Sequence, residues 1–320
     1  MYFESLGLYL TYSCNLKCRH CSQDGAVKRE ARMDKLLLES VLAQAGGSGI
    51  KEIALSGGEP FLEPHLVDLA AETCRQQGID CWVVTNGWWA KSQAMCYEKL
   101  ADLEGITGVS VSWDPWHEEF IHVDKVRWIV GACKQLGKVV EVGGCFVEDA
   151  EENLKWMFDS IGRSTCEGIE VHNQPVLWRG AVTKNFEKCD LPRHELWRGG
   201  CRAAKNPVVL PNGDVFACCG GSQDIGGKGF LYLGDVSDEP LSEIKRRASS
   251  NSMIKAIRHF GPEVLLEGGM EADLKEVSSR AAYKQCDICK QIAISPQVRD
   301  HAERVSNSPQ MREQLQAKEV

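Results

Sequence analysis

The stretch Thr11–Ser22, "TYSCNLKCRHCS", places Cys14, Cys18 and Cys21 within eight positions. The run that leads into it, "LGLYLTY" (6–12), is apolar and β-prone, so the three cysteines fall on a loop at the end of a strand. Disulfides take cysteines in pairs, and three on one loop leave one over. The wider composition bears on what they do. The chain has 320 residues and a formal net charge of −8, which argues against a nucleic-acid surface, because phosphate binding calls for clustered Lys and Arg. The start, "MYFESLGLYL", has no basic n-region and carries Glu4, so it does not read as a secretory signal, and no apolar run approaches a membrane span. A cytosolic protein that interacts with neither nucleic acid nor membrane is expected. Fifteen cysteines are then many, and clustered cysteines in a reducing compartment point to metal or redox chemistry.

Working outward, short strand-like runs recur at "KEIALSG" (51–57), "DCWVVTN" (80–86), "ITGVSVSW" (106–113), "KVVEVGGCFV" (138–147) and "CEGIEVHNQ" (166–174). Amphipathic stretches lie between them. One starts at a candidate cap, Asp34, and stops at the glycine pair Gly46–Gly47; two others end at Gly78 and Gly137. Six strands alternating with helices predict an α/β fold whose parallel strands are joined by right-handed crossovers, with its site at the carboxyl ends of the strands. Cys14, Gly57, Asn86 and Asp114 each follow a strand and converge there in this reading.

Beyond about residue 185 the pattern changes. "NPVVLPNGDVFACC" (206–219) reads as a hairpin turning at Asn212–Gly213. Helical segments are expected near 239–260 and 291–305. The domains are therefore 1–185, 186–305 and a frayed polar tail, 306–320.

Three thiolates on one loop suit a cubane [4Fe-4S] cluster with one iron left open; a partial zinc site is the alternative. The C-x3-C-x2-C loop after a first strand resembles that of the radical SAM superfamily. The resemblance implies a partial (β/α)6 barrel in which Cys14, Cys18 and Cys21 hold the cluster. Its open iron chelates S-adenosylmethionine (SAM), and one electron cleaves SAM to methionine and a 5′-deoxyadenosyl radical. "SGGEP" (56–60), after the second strand, resembles the family's glycine-rich turn that binds the SAM amino group, which implies contacts from Gly57, Gly58 and Glu59. Residue 20, commonly aromatic in the family and near the adenine, is here His20. Thr85 and Asn86 in "TNG" and Ser112 in "VSW" occupy positions that in the family contact ribose and carboxylate; ordinary strand-end capping is the competing reading.

A second set resembles the opening motif of the SPASM and twitch extensions: Cys201, Gly213 and Cys218, then "CDIC" with Cys286 and Cys289. No cysteine follows residue 289, so the shorter twitch form is implied, a small α+β domain whose four cysteines close a second, auxiliary [4Fe-4S] cluster. A structural zinc knuckle would use the same four ligands. Of the remaining cysteines, Cys74, Cys81, Cys96, Cys133, Cys145, Cys166 and Cys189 read as core thiols. Cys219 differs, because on an extended strand it faces away from its neighbour Cys218.

The adjacent cysteines, the "CDIC" pair and "SWDPWHEEF" (112–120) together resemble the twitch-bearing radical SAM peptide epimerases. That resemblance implies a ribosomal precursor peptide as substrate, conversion of L- to D-residues, Cys219 as hydrogen-atom donor, and an electron donor such as flavodoxin or ferredoxin. It also places Asp114, His117 and Phe120 along the peptide channel. Trp88, Trp89, Trp113 and Trp116 read as core or as stacking surface. The first strand begins near residue 6, so the peptide-recognition domain that many relatives carry in front is expected to be absent, leaving recruitment to the barrel mouth or a separate protein. Two other readings stay open: a peptide cyclase forming a C–C or thioether link, and a zinc-bound scaffold or iron–sulfur carrier.

Overall fold

Strand and crossover helix alternate through the first half of the chain. The elements are β1 (Ser5–Thr11), α1 (Lys35–Gly47), β2 (Glu52–Gly57), α2 (Pro64–Gln77), β3 (Asp80–Thr85), α3 (Gln93–Asp102), β4 (Ile106–Ser112), α4 (Pro115–Glu118), α5 (Asp124–Leu136), β5 (Val139–Phe146), α6 (Ala150–Ile161), α7 (Arg163–Cys166) and β6 (Glu170–Pro175). The structure is a computed structural model, and it describes residues 3–23, 31–147, 149–187, 199–219, 229–267 and 285–319. The strands lie in the order β6-β5-β4-β3-β2-β1. β2 to β6 run parallel, in register at Glu52↔Asp80, Cys81↔Ile106, Gly108↔Val139 and Glu141↔Glu170.

Two-residue periodicity sorts the side chains. Ile53, Leu55, Val83, Val109, Val111 and Val142 are fully buried on one face. The alternating positions Ser56, Val84, Ser110, Ser112, Glu141 and Cys145 are half-buried on the other. One face is thus packed, and the other is polar and partly open, as a binding wall requires.

The helices begin where their caps lie: Asp34 accepts from Leu36 N at 2.8 Å, and Asp149 from Glu151 N and Glu152 N at 2.8 Å each. α2 and α5 stop at Gly78 and Gly137. α1 instead runs through its glycine pair to Gly47, where Ser48 closes it with backbone and hydroxyl donations to Ala45 O. The sixth strand is shorter than its apolar run: residues 163–166 form a helical turn, and β6 starts at Glu170.

The chain divides into two compact units, one of Gly7–Leu191 with Leu210–Asn212, the other of Met1–Leu6, Pro192–Val209 and Gly213–Val320. In the second, β7 (Val208–Val209) and β8 (Asp214–Phe216) pair antiparallel, with Val209 opposite Val215. Gly213 in their connection has φ +93°, the left-handed conformation that an Asn-Gly turn supplies. β9 (Tyr232–Asp235) adds to β8. Helices α8 (Leu241–Ser250) and α9 (Ser252–Phe260) follow, then three more at Gln285–Ile294, Pro296–Ser306 and Pro309–Glu319. Met253, Ile257, Leu265, Ile292 and Ala302 share one core. The segment 306–320, expected to fray, is corrected here. Its helix buries Met311 and Leu315 in that core, an apolar pair at i, i+4 that a mainly polar composition hides. Among the described residues no helix is long and apolar enough to cross a membrane.

Candidate active site and the two thiol sets

The loop after β1 is tied down by backbone at both ends. Gly58 N donates to Thr11 O (2.7 Å) and Glu59 N to Ser13 O (2.9 Å), so the turn after β2 grips the root of the cysteine loop. Gly57 has φ +130°, and a Cβ on it would strike the Thr11 carbonyl; one on Gly58 would strike that of Ser13. Further along, Ala181 N donates to Cys21 O at 2.9 Å, and Asn86 Nδ2 bonds Asn15 Oδ1 (3.1 Å) and Cys14 Sγ (3.7 Å).

Cys14, Cys18 and Cys21 line one cavity of about 210 Å3 together with His20, Gly57, Gly58, Ser112, His117 and Cys145. It sits at the carboxyl ends of the strands. Burial pushes the Cys14 thiol up to about 11, and the charges of Glu59 and Cys21 add to this. Cys18 is pushed well above the usual thiol range by burial, then by Asp114 and the two other cysteines. Cys14 and Cys18 resist ionisation and need a positive centre to become thiolates, and Asn86 stands ready to donate to Cys14. This donor set fits a cluster with one open iron.

The expected SAM contacts divide into two groups. Gly57, Gly58, Ser112, His20, Thr85 and Asn86 line the cavity, and Glu59 does not. Glu59 faces inward. It is fully buried and accepts from Thr85 Oγ1 (2.8 Å), Asn86 N (2.8 Å) and Phe61 N (3.1 Å). Burial pushes its carboxyl up to about 7 despite those bonds. Thr85 Oγ1 donates to Glu59 and accepts from Gly87 N and Trp89 Nε1, which uses its full capacity. Asn86 spends its side chain on the cysteine loop and on Trp88 N. Glu59, Thr85 and Asn86 therefore form one network that joins the ends of β2 and β3 to the cysteine loop.

The segment after β4 makes a second network. Asp114 is fully buried and caps α4 through Trp116 N and His117 N. Its Oδ1 also bonds His117 Nδ1 (2.8 Å); its Oδ2 meets His20 Nε2 (3.2 Å) and Cys145 N (3.1 Å). Burial alone would raise this carboxyl; the His117 and His20 partners outweigh it and hold Asp114 below the usual carboxylate range. With Nδ1 engaged, His117 keeps Nε2 for the cavity. His20 stacks on Trp116 with ring centres 4.6 Å apart, and its Nδ1 is buried without a hydrogen-bond partner.

The tryptophans separate by environment. Trp113 is core, stacked on Trp156, and Trp89 is buried. Trp88 and Phe120 are exposed, and Trp116 is half-buried against His20. Cys74, Cys81, Cys96, Cys133 and Cys166 are buried thiols, as expected; Cys189 lies outside the described residues. Cys145 is corrected: it is half-buried on the cavity wall. Period-2 alternation from the polar positions Glu141 and Gly143 would have revealed it.

The second set gathers in the C-terminal unit. Cys201 N donates to Ile257 O (2.9 Å), and Cys286 and Cys289 stand three apart on the helix Gln285–Ile294. The charges of Cys201, Cys218 and Cys286 all act on Cys289, whose thiol burial drives well above its usual range. Among the described residues, the only three metal-ligating groups whose ligand atoms all fall within 4.8 Å of one another are His20, Asp114 and His117. These are joined by hydrogen bonds through the carboxylate. Thiolates on one tetrahedral zinc at ~2.3 Å would stand roughly 3.8 Å apart. Cys219 does not lie on an extended strand as expected. β8 ends at Phe216, so no strand runs under Cys218 and Cys219 to turn them to opposite faces. Cys219 is exposed and Cys218 half-buried.

With this geometry in place, comparison with known proteins gives the class. Residues 8–169 match the Radical SAM superfamily, and the chain belongs to it. Membership carries a [4Fe-4S] cluster and SAM as cofactors. The chain is similar to the putative peptide biosynthesis protein YydG of Bacillus subtilis (strain 168), with 21% identity over 228 residues, 68% of this chain and 70% of that protein. Among solved structures it resembles anSMEcpe with bound AdoMet (14% identity, TM-score 0.57, 98% of this chain and 99% of that one). It also resembles Streptococcus suis SuiB bound to S-adenosylmethionine (17% identity, TM-score 0.52, 76% of this chain) and spans 65% of the SuiB chain. At these identities the likeness establishes a shared fold.

Proposed function

We propose that this radical SAM enzyme converts L- to D-residues in a ribosomally made precursor peptide, with Cys219 returning the hydrogen atom. The observation that carries the reading is the four-thiol set of the C-terminal unit with an exposed fifth thiol, Cys219, directly after its member Cys218. The likeness to a peptide biosynthesis protein over 68% of the chain supports a peptide substrate. A precursor peptide also occupies one structure of SuiB.

In this reading Cys14, Cys18 and Cys21 hold the SAM cluster, and Cys201, Cys218, Cys286 and Cys289 hold an auxiliary one in a twitch-type domain. When bound, the SAM cluster and SAM supply a reducing electron and a 5′-deoxyadenosyl radical. His20, Gly57, Gly58, Thr85, Asn86 and Ser112 face SAM, while Glu59, bonded to Thr85 and Asn86, keeps the turn and the cysteine loop in place. The half-closed cavity limits water around the reacting atoms. Cys219 S–H gives its hydrogen atom to the substrate α-carbon radical; a C–H bond forms with inverted configuration and a thiyl remains. One electron, from a donor of the flavodoxin or ferredoxin class, and one proton rebuild the thiol.

The cyclase reading is kept alive by the Asp114–His117 pair. A carboxylate that fixes Nδ1 and leaves Nε2 on the cavity is the arrangement of a general base. Crosslinking needs such a base to take the proton of the attacking group, and hydrogen return does not. Turnover of the peptide in deuterated water separates the two. Epimerisation places one deuterium on the inverted α-carbon and otherwise preserves mass, because a thiol exchanges with solvent before it donates. A product that has lost two hydrogens overturns the epimerase reading. A protein that binds stoichiometric zinc instead of about eight irons, the content of two four-iron clusters, overturns both enzyme readings.

A further inference from the structure

β6 (Glu170–Pro175) ends the sheet and pairs, in parallel, with β5 alone. Val176 N donates to Phe146 O at 2.8 Å, which fixes the phase of that ladder. Bonded residues alternate along a strand. Glu170, His172 and Gln174 therefore turn their backbone groups to β5, while Val171, Asn173 and Pro175 turn theirs outward. Glu170 and Gln174 are exposed, and the four other residues of the strand are half-buried. Among the described residues, no backbone bond joins Val171 or Asn173 to anything beyond the sheet. Such an edge is a template for another strand. Pro175 sits where its missing N–H costs the ladder nothing, and it ends the run of outward donors. Directly after it, Val176 and Leu177 line the same cavity as Cys14, Cys18 and Cys21. The open edge thus leads into the SAM cavity.

The other end of the edge is acidic on its barrel-facing side. Glu141 and Glu170 stand opposite each other in register, and like charges so placed repel. Glu170 Oε1 lies 3.8 Å from His172 Nδ1; among the described residues, neither carboxylate lies within ion-pair distance of a lysine or arginine. Both line a second cavity, of about 380 Å3, with Trp82. Lys134 and Lys138 line it too, but their ammonium groups bond the carbonyls of Thr165, Glu167, Leu103 and Ile106. On an added strand, the residue opposite Glu170 points to the same face and toward this cavity. We propose that the edge of β6 recruits the precursor peptide, which pairs along residues 170–174 as an added strand, sets a Lys or Arg opposite Glu170 and passes beyond Pro175 into the SAM cavity. Main-chain bonds supply affinity here, and alternate side chains supply specificity. The length of β6 sets a spacing of about five residues between the basic residue and the one that enters the cavity. The inference rests on the reading of the substrate as a peptide.

The probe is a displayed library of random peptides of about twelve residues, long enough to span β6 and reach the cavity. It is selected on the reconstituted full chain with SAM bound, and enriched peptides are synthesised for binding by fluorescence polarisation. They should carry a Lys or Arg, and their binding should slow hydrogen exchange at the amides of Val171 and Asn173. A paired strand turns only every second N–H to its partner. Methylating the peptide nitrogens at one set of alternate residues should therefore abolish binding, and methylating the other set should leave it near the parent value. Val171→Pro removes an outward donor and should weaken binding roughly tenfold at unchanged iron content. Should that variant lose its iron, the two methylated peptides decide alone. Equal effects of the two methylation patterns overturn the proposal, as do protection elsewhere but not on β6, enriched peptides without a basic residue, or a library that enriches nothing. Protection along β6 by a peptide that gains no D-residue counts against the epimerase reading and leaves the recruitment surface standing. D-residues formed in a peptide that leaves β6 unprotected do the reverse.

Discussion

The two thiol sets are built in opposite ways. Cys14, Cys18 and Cys21 share one loop, and the protein's task is to hold that loop still. It does so with backbone bonds from Gly58, Glu59 and Ala181 and a side-chain bond from Asn86. Cys201, Cys218, Cys286 and Cys289 come from a turn, a hairpin end and a helix, and the fold must bring these segments together before any metal can bind. The first set is a local motif supported by a sheet; the second exists only as a result of packing. The first should therefore tolerate distant changes and depend on its immediate supports, whereas the second should depend on the whole C-terminal core.

The largest effect should come from removing one set and keeping the other. With Cys14, Cys18 and Cys21 all replaced by Ala, SAM cleavage should vanish while about half the iron of the reconstituted protein remains, because the two sets belong to separate compact units. Iron analysis and 5′-deoxyadenosine assays check this; iron falling to zero would show that the sets are interdependent. Next, Cys219→Ala should keep the full iron complement and still release 5′-deoxyadenosine, yet yield no D-residue by chiral amino-acid analysis. Normal epimerisation in this variant would remove Cys219 from the mechanism.

A smaller, energetic effect is expected at Asp114. Replacing it with Asn weakens charge-assisted bonds to His117 and His20 and should destabilise the metal-free protein by about 1.5–3 kcal/mol in urea titrations. Its carboxyl pKa is depressed in the folded state, so the stability it contributes is present above the unfolded pKa and lost as pH falls through the folded value. Asp114→Asn should accordingly flatten the acid limb of the stability curve; an unchanged limb would mean that the two imidazoles do not hold this carboxylate ionised.

The smallest effect concerns Glu59, and its sign is opposite. Its pKa is raised in the folded state from an ordinary 4.5 to about 7, so stability should decline as pH rises through that window. Glu59→Gln should remove this slope. The new amide would face donors, so at acidic pH the variant should be less stable by about 1–3 kcal/mol. An unchanged stability at both ends, with SAM affinity reduced, would mean that Glu59 acts on SAM directly and not through Thr85 and Asn86.

Much of the fold was readable from local pattern. Five of the six strands β1 to β6 begin and end within two residues of their apolar runs, α2 and α5 stop at their glycines, and Asn212–Gly213 turns the β7–β8 hairpin. The cysteine loop was readable as well, because its three ligands lie close enough in the chain for spacing alone to constrain geometry. What spacing could not supply is which partner each polar side chain takes. Glu59 lies more than 25 positions from Thr85 and Asn86 across a crossover, and only the parallel pairing of β2 with β3 brings them into one network. Asp114 finds His20 and Cys145 N for the same reason, since parallel strands gather carboxyl ends from distant parts of the chain at one edge. The helix at Pro309–Glu319 also depends on tertiary packing, because a mostly polar segment acquires meaning only from the surfaces it meets. The sequence by itself determined the strand–helix alternation and the three-cysteine loop, both fixed by contacts between near neighbours. The tertiary structure alone decided which carboxylates turn inward and which thiols meet, because those contacts join residues that the chain keeps far apart.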